Sequence, residues 1–169
     1  MADSLDTRLE NGRRLARWAA FAGDAPDLAE TGRALLQQFG GVGLAFLATV
    51  RRDGAPRLHP VCPVLANGRL HVLITPDSPK RGDLERDGRF ALQTFPQPKP
   101  AGDEFYVAGR AVLVTEAPER EAVFQAARHH WDPSEIVFEL WVERVLHTRW
   151  EHPLTPDMRP VRRAWRPGR

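Results

Sequence analysis

The stretch "GLAFLATVRRDGAPRLHPVCPVLANGRLHVLIT" (Gly43 to Thr75) decides the fold. It holds three strand-like runs, separated by Asp53-Gly54 and Asn67-Gly68. Both dipeptides tolerate positive φ, and between apolar runs they mark tight hairpins. The chain therefore runs as an antiparallel meander. Its first run is apolar on both faces, with Leu44, Phe46, Ala48 and Val50 on one and Ala45 and Leu47 on the other. An open sheet that is wet on one side does not need that pattern. A barrel wall covered by helices or by a partner subunit does.

The second run, "RLHPVCPV" (Arg57 to Val64), alternates Arg57, His59 and Val61 with Leu58, Pro60 and Cys62. Proline cannot donate to a sheet ladder, so Pro60 and Pro63 imply an edge, a bulge or an interrupted pairing. Interrupted pairing frees backbone N–H and C=O groups that a planar ligand with amide edges could use. An ordinary surface strand with polar residues on its wet side fits the same pattern, and the two readings stand side by side.

Downstream, "TPDSPKRGDLERDGRFAL" (Thr75 to Leu92) reads as a short helix near residues 78–87, with Ser78 as N-cap, Pro79 at the first helical position and Gly88 closing it. Lys80 and Arg81 then sit at the electropositive end of the helix, an unfavourable placement of about 0.3–1 kcal/mol each. An anion bound by Ser78, Lys80 and the bare N–H groups would compensate. A capped helix with its lysine in water, offset by Asp83 and Glu85, is the alternative.

Beyond it, "RFALQTF" is a fourth strand, "PQPKPAGD" a loop, and "EFYVAGRAVLVTE" a fifth strand with a bend at Gly109. "APEREAVFQAARHHW" reads as a helix opened by Pro118, with Val123, Phe124, Ala127 and Trp131 on one face. "EIVFELWVERVLHTRW" is a long sixth strand, and a short closing strand is expected around Val161 to Trp165. Upstream, Leu5, Leu9, Leu15, Trp18 and Ala22 suggest one helix, and Leu28, Leu35, Leu36 and Phe39 a second, ended by Gly40 and Gly41. The expected architecture is mainly β: a six-stranded antiparallel split β-barrel with N-terminal helices and short inserted helices. Residues 1–41 form the helical extension and residues 42–169 the barrel, one structural domain overall.

Composition sets the outer limits. A chain of 169 residues with 42% hydrophobic and 27% charged residues is an ordinary globular protein of single-domain size. No apolar run is long enough to span a bilayer and the N-terminal residues lack a secretory core, so a cytoplasmic protein without membrane contact is expected. The single cysteine, Cys62, excludes an internal disulfide framework and reads as a buried inert thiol. The histidines (59, 71, 129, 130, 147 and 152) form no metal-ligand spacing, so no metal is expected. Phosphate-loop, dinucleotide and nucleophile-elbow motifs are missing. No residue declares itself a general acid or base, which suits an enzyme whose cofactor carries the chemistry. The net charge is +2, concentrated in "RPVRRAWRPGR" (Arg159 to Arg169). That tail reads as a solvated segment; nucleic-acid binding ranks last, since no aromatic–basic interleaving marks the strands. Trp150 and Trp165 read as anchors of the last strands to the core.

Taken in order, "LATVRRDGAPRLHPV", "NGRLHVLIT", "DSPKRGDLERDGRFAL" and "YVAGRAVLV" resemble the FMN-binding split barrels related to pyridoxamine 5′-phosphate oxidase. The resemblance covers roughly Gly43 to Trp150. It departs from the family pattern at Asp83, where Asn is common, and at "DGRFAL", where "DPRVAL" is common. The resemblance implies a homodimer with cofactor held in clefts at the subunit interface. It implies that Arg57, Leu58, His59, Pro60 and Val61 line the flavin. Thr75, Ser78 and Lys80 would hold the ribityl chain and phosphate, with Arg81 as helper. FMN is the implied cofactor and the deazaflavin F420 the alternative. The implied activity is an FMN-dependent oxidoreductase acting on an unknown small molecule. An F420-dependent reductase or a non-catalytic flavin- or haem-binding protein is the alternative. Catalytic residues stay unassigned, because the substrate-binding arginine and histidine pattern of a true pyridoxamine phosphate oxidase is not found near the C-terminus.

Overall fold

The structure is a computed structural model that describes residues 6–95, 97 and 102–168. Leu5 of the expected first helix, most of the Pro-rich loop and Arg169 lie outside the described residues. Antiparallel pairing dominates, as the meander requires. Its first strand, β3 (Ala45–Val50), pairs with β4 (Pro56–Val61) across the Asp53-Gly54 turn, and β5 (Pro63–Ala66) pairs with β6 (Arg69–Ile74) across Asn67-Gly68. Asn67, Gly68 and Gly54 all carry the positive φ that such turns demand.

The second run of the meander divides at Cys62, where the sequence places prolines on both sides. Before it, β4 is the outermost strand beside β3; after it, β5 pairs with β6. The prolines thus mark an edge and an interruption together, because the strand leaves one end of the sheet and joins the other. That transfer closes the barrel. From β6 the sheet continues to β9 (Ile136–Glu151), β8 (Glu104–Leu113), β7 (Arg89–Thr94) and back to β3. The sixteen residues of β9 pair with β6 along one half and with β10 (Arg159–Trp165) along the other. A register shift falls at Ala108/Gly109, as the glycine suggests. A side chain there would meet the Trp141 carbonyl at 1.8 Å.

Ten strands form where six and a closing strand are expected. Dividing the second run adds one. The other two come from a correction at the N-terminus: residues assigned to a first helix form a hairpin, β1 (Thr7–Glu10) and β2 (Arg13–Ala16). Asn11 and Gly12 adopt φ of 49° and 74°, the same turn chemistry as Asn67-Gly68. Leu9 is therefore left exposed while Leu15 is fully buried, and β2 docks on β9 through Ala16 and Val142. The helices that do form are α1 (Trp18–Asp24) and α2 (Pro26–Leu36). Phe39 falls beyond the second helix and is 37% exposed.

The two N-terminal helices join the main core. Phe21 packs at a tilt against Trp165, ring centroids 4.9 Å apart, fixing the last strand as expected, and Phe105 packs so close to Gly32 that an added Cβ would lie 2.2 Å from its ring. A smaller cluster forms where α4 (Ala117–Ala126) covers Val64, Leu73 and Val137 with Val123 and Phe124. The helix ends earlier than expected, but Trp131 still stacks on Phe124 at 4.6 Å. The remaining helix, α3 (Pro79–Arg86), follows β6 in the chain, lies against β3 and β8, and plugs Leu84 into the main core. No helix among the described residues is long and apolar enough to cross a membrane.

Candidate functional site

The site is built where α3 meets β4. Strand pairing opposes Thr49 to Arg57, Leu47 to His59 and Ala45 to Val61. Opposed residues of an antiparallel pair share a face. Arg57, His59 and Val61 therefore face the same side as the buried Thr49 and Leu47. Leu58 and Pro60 take the opposite face, opposed to Ala48 and Phe46. The nine residues singled out by sequence are thus not brought together as one surface.

Thr75 and Ser78 form the tight turn that leads into α3, with the Ser78 N–H donating to the Thr75 carbonyl at 3.0 Å. Ser78 is the N-cap residue, but its hydroxyl makes no capping bond. Pro79 occupies the start of the helix as expected. The two cations that follow then separate. Arg81 turns along its own helix, donating through Nε to Glu85 at 2.9 Å and through Nη1 to the Pro76 carbonyl at 3.3 Å. It compensates itself and contributes little to a shared site.

Lys80 behaves differently. It is half-buried, and among the described residues no carboxylate pairs with it. Burial lowers its ammonium pKa, and the neighbouring Arg57 guanidinium lowers it further. Two cations from different elements thus feel one another's charge. A folded chain holds like charges together only where something offsets their repulsion.

Part of that offset is Asp83, which sequence reasoning treated only as a neighbour of the cations. The Asp83 carboxylate, 5% exposed, accepts from Arg57 Nε at 2.7 Å and from Thr49 Oγ1 at 2.9 Å, and its second oxygen lies 3.5 Å from Arg86 Nη2. Burial raises its pKa, but the Arg57 and Thr49 hydrogen bonds and the two guanidinium charges outweigh that and leave it lowered. The available signal was its departure from the asparagine common in the family. Beside Arg57 and Asp83 opens a cleft of about 340 Å³, also lined by Arg51, Arg52 and Asp53.

A second charged cluster lies away from this site. The His71 ring, 1% exposed, sits 3.2 Å from Glu119 on α4. Arg69 pairs with Glu119, and Arg17 with the buried Glu139 at 2.8 Å. These groups join β6, β9 and α4 and read as structural. Cys62 is half-buried, with burial raising its thiol pKa and Glu135 adding to the shift, so it is a poor nucleophile. Among the described residues no cluster of three or more His, Cys, Asp or Glu could hold a metal ion.

With this geometry in hand, the family model described as pyridoxamine 5′-phosphate oxidase matches residues 30–149. The chain belongs to the pyridoxamine 5′-phosphate oxidase family. Solved structures share the split barrel. They include a haem-binding protein from Mycobacterium smegmatis, at 19% identity and a TM-score of 0.55, matching 76% of this chain and 56% of that one. The chain therefore spans little more than half of that protein's length. A NimC/NimA family protein from Clostridium acetobutylicum matches at 14% identity and a TM-score of 0.55, covering 79% of this chain and 91% of that one. General Stress Protein 26 from Bacillus anthracis matches at 16% identity and a TM-score of 0.51, covering 68% and 92%. At these identities the likeness is one of fold. Among curated proteins nothing matches the chain.

Proposed function

We propose that this family member is an FMN-dependent oxidoreductase acting on a small molecule, with the cofactor phosphate held at Lys80. The observation that carries the reading is a half-buried Lys80 that no carboxylate pairs with among the described residues, near enough to Arg57 to feel its charge. The residues present fit the group. Among the described residues Arg57 engages a carboxylate through Nε alone, that of Asp83, which leaves its terminal nitrogens for a charge-assisted, two-pronged phosphate contact. Lys80 adds a point charge, and the Ser78 hydroxyl, not used in capping, adds a donor. His59 and Val61 continue along the same face of β4. Bound there, FMN would supply the redox chemistry. The chain's part is to orient the phosphate end, exclude water with Val61 and Leu84, and keep its cations charged.

A homodimer completes the reading. The other face of β3 and β4 presents Phe46, Ala48, Leu58 and Pro60, with Leu58 61% exposed and Phe46 stacked on Phe95 at 4.3 Å. A second copy covering this apolar face would explain why the first strand is apolar on both sides. Leu58 and Pro60 would then approach cofactor only through that interface.

F420 is the second reading, favoured by the cleft of about 340 Å³ beside Arg57. Its exposed Arg51 and Arg52 suit a cofactor that carries further carboxylates beyond its phosphate. Mass spectrometry of the small molecule that copurifies distinguishes the two. FMN is the expected mass, a deazaflavin moves the assignment to F420, and failure to retain or take up either contradicts the proposal.

A further inference from the structure

Asp83 is turned to protein partners rather than to a ligand. One carboxylate oxygen takes Thr49 and Arg57 at 2.9 and 2.7 Å, and the other faces Arg86 at 3.5 Å. Only 5% of the residue is exposed. Any favourable influence on a bound anion therefore runs through the arginine it grips. Arg57 needs such a grip. It sits on β4, the edge strand, at the rim of a cleft, and its long side chain has many rotamers to lose on ordering. Asp83 takes the Nε edge of the guanidinium, which sets its plane and leaves the terminal nitrogens on the far side. Asp83 is fixed in turn by Thr49, from the strand beside β4, so the carboxylate is referred to the sheet as well as to its own helix.

Building on the phosphate reading above, we propose that Asp83 is a positioning residue that holds Arg57 toward the cofactor phosphate. The carboxylate has a cost, since its charge lies close to the anion's and weakens the attraction. Hydrogen bonding and charge therefore pull in opposite directions, and they can be separated. Asn at position 83 keeps an oxygen for Arg57 Nε and discards the charge; Ala discards both.

The test compares FMN with riboflavin, which lacks the phosphate, by equilibrium titration of the intact protein. The ratio of the two affinities isolates the phosphate contact from general damage to the pocket. Asp83→Ala is expected to lower that ratio about tenfold, the worth of one charge-assisted hydrogen bond. Asp83→Asn is expected to restore or exceed the wild-type ratio. The Asp83→Ala/Arg57→Ala double variant should show a ratio no lower than that of Arg57→Ala, because without the arginine Asp83 has no guanidinium to hold and its charge only opposes the anion. An unchanged ratio in Asp83→Ala, an Asn variant as poor as the Ala variant, or additive losses in the double variant would each overturn the positioning role. If Asp83→Ala does not fold, the Asn variant and Arg57→Ala still decide, since an Asn variant with a ratio well below wild type contradicts the proposal. A wild-type protein that binds FMN and riboflavin equally removes the phosphate reading itself, a result distinct from any variant's failure.

Discussion

Arg57 Nε lies 2.7 Å from Asp83 Oδ2, a bond that ties the edge strand of the barrel to the helix following the meander. The Asp83 side chain is buried and the Arg57 side chain is three-quarters buried, so the two removals are unequal in effect. Arg57→Met should destabilise the protein by about 1–3 kcal/mol, because Asp83 keeps only Thr49 and a distant Arg86. Adding Asp83→Leu to that variant should recover part of the loss, since both polar groups then go together. Chemical denaturation of the two variants checks the order.

His71 should make the fold sensitive to mild acid. Burial lowers its pKa from the ordinary 6.5, and the carboxylates of Glu119 and Glu139 only partly oppose that. The folded imidazole thus stays neutral while the unfolded one protonates, so stability falls as pH drops below about 6.5. The loss continues down to the folded pKa. Thermal unfolding of wild type and His71→Gln between pH 7.5 and pH 5, chosen as roughly the titration range of histidine, should show that slope in the wild type and a shallower one in the variant.

Gly32 should tolerate no side chain. It lies on α2 with the Phe105 ring beneath it, 2.2 Å from where a Cβ would sit. Gly32→Ala gains helix propensity but forces the ring or the helix to move. A net destabilisation of about 1–3 kcal/mol is expected, measured by urea denaturation. A stabilised variant would mean that α2 is free to shift on β8.

The meander carried most of what the sequence could tell. Asp53-Gly54, Asn67-Gly68 and the prolines around Cys62 act through local backbone preferences, so their effects survive in any tertiary context. Asn11-Gly12 carries the same signal, yet the apolar spacing through Leu9 and Leu15 drew the segment toward a helix. Pairing of β2 with a strand more than a hundred residues away decided it, and no local pattern encodes that. The site was partly legible. Lys80 and Arg81 looked alike, but only the fold shows Arg81 satisfied by Glu85 while Lys80 is half-buried within reach of the Arg57 charge. Asp83 looked like a surface acid because its partners come from β3 and β4, far away in sequence.

Lys80 should also set an alkaline limit. Its ammonium is depressed below 10.5 by burial and by Arg57, so it loses its charge at lower pH than an ordinary lysine. Affinity for FMN should then decline with rising pH before that value is reached, while riboflavin affinity stays flat. Titrations across the alkaline range read this directly.

The most direct measurement is the affinity of Lys80→Ala for FMN against that of the wild type, by fluorescence titration at neutral pH with riboflavin as the phosphate-free control. Loss of a charge-assisted phosphate contact should weaken FMN about tenfold or more, with riboflavin unchanged and the fold intact by circular dichroism. Equal FMN affinity in the variant and the wild type would contradict the assignment of Lys80 to the cofactor phosphate.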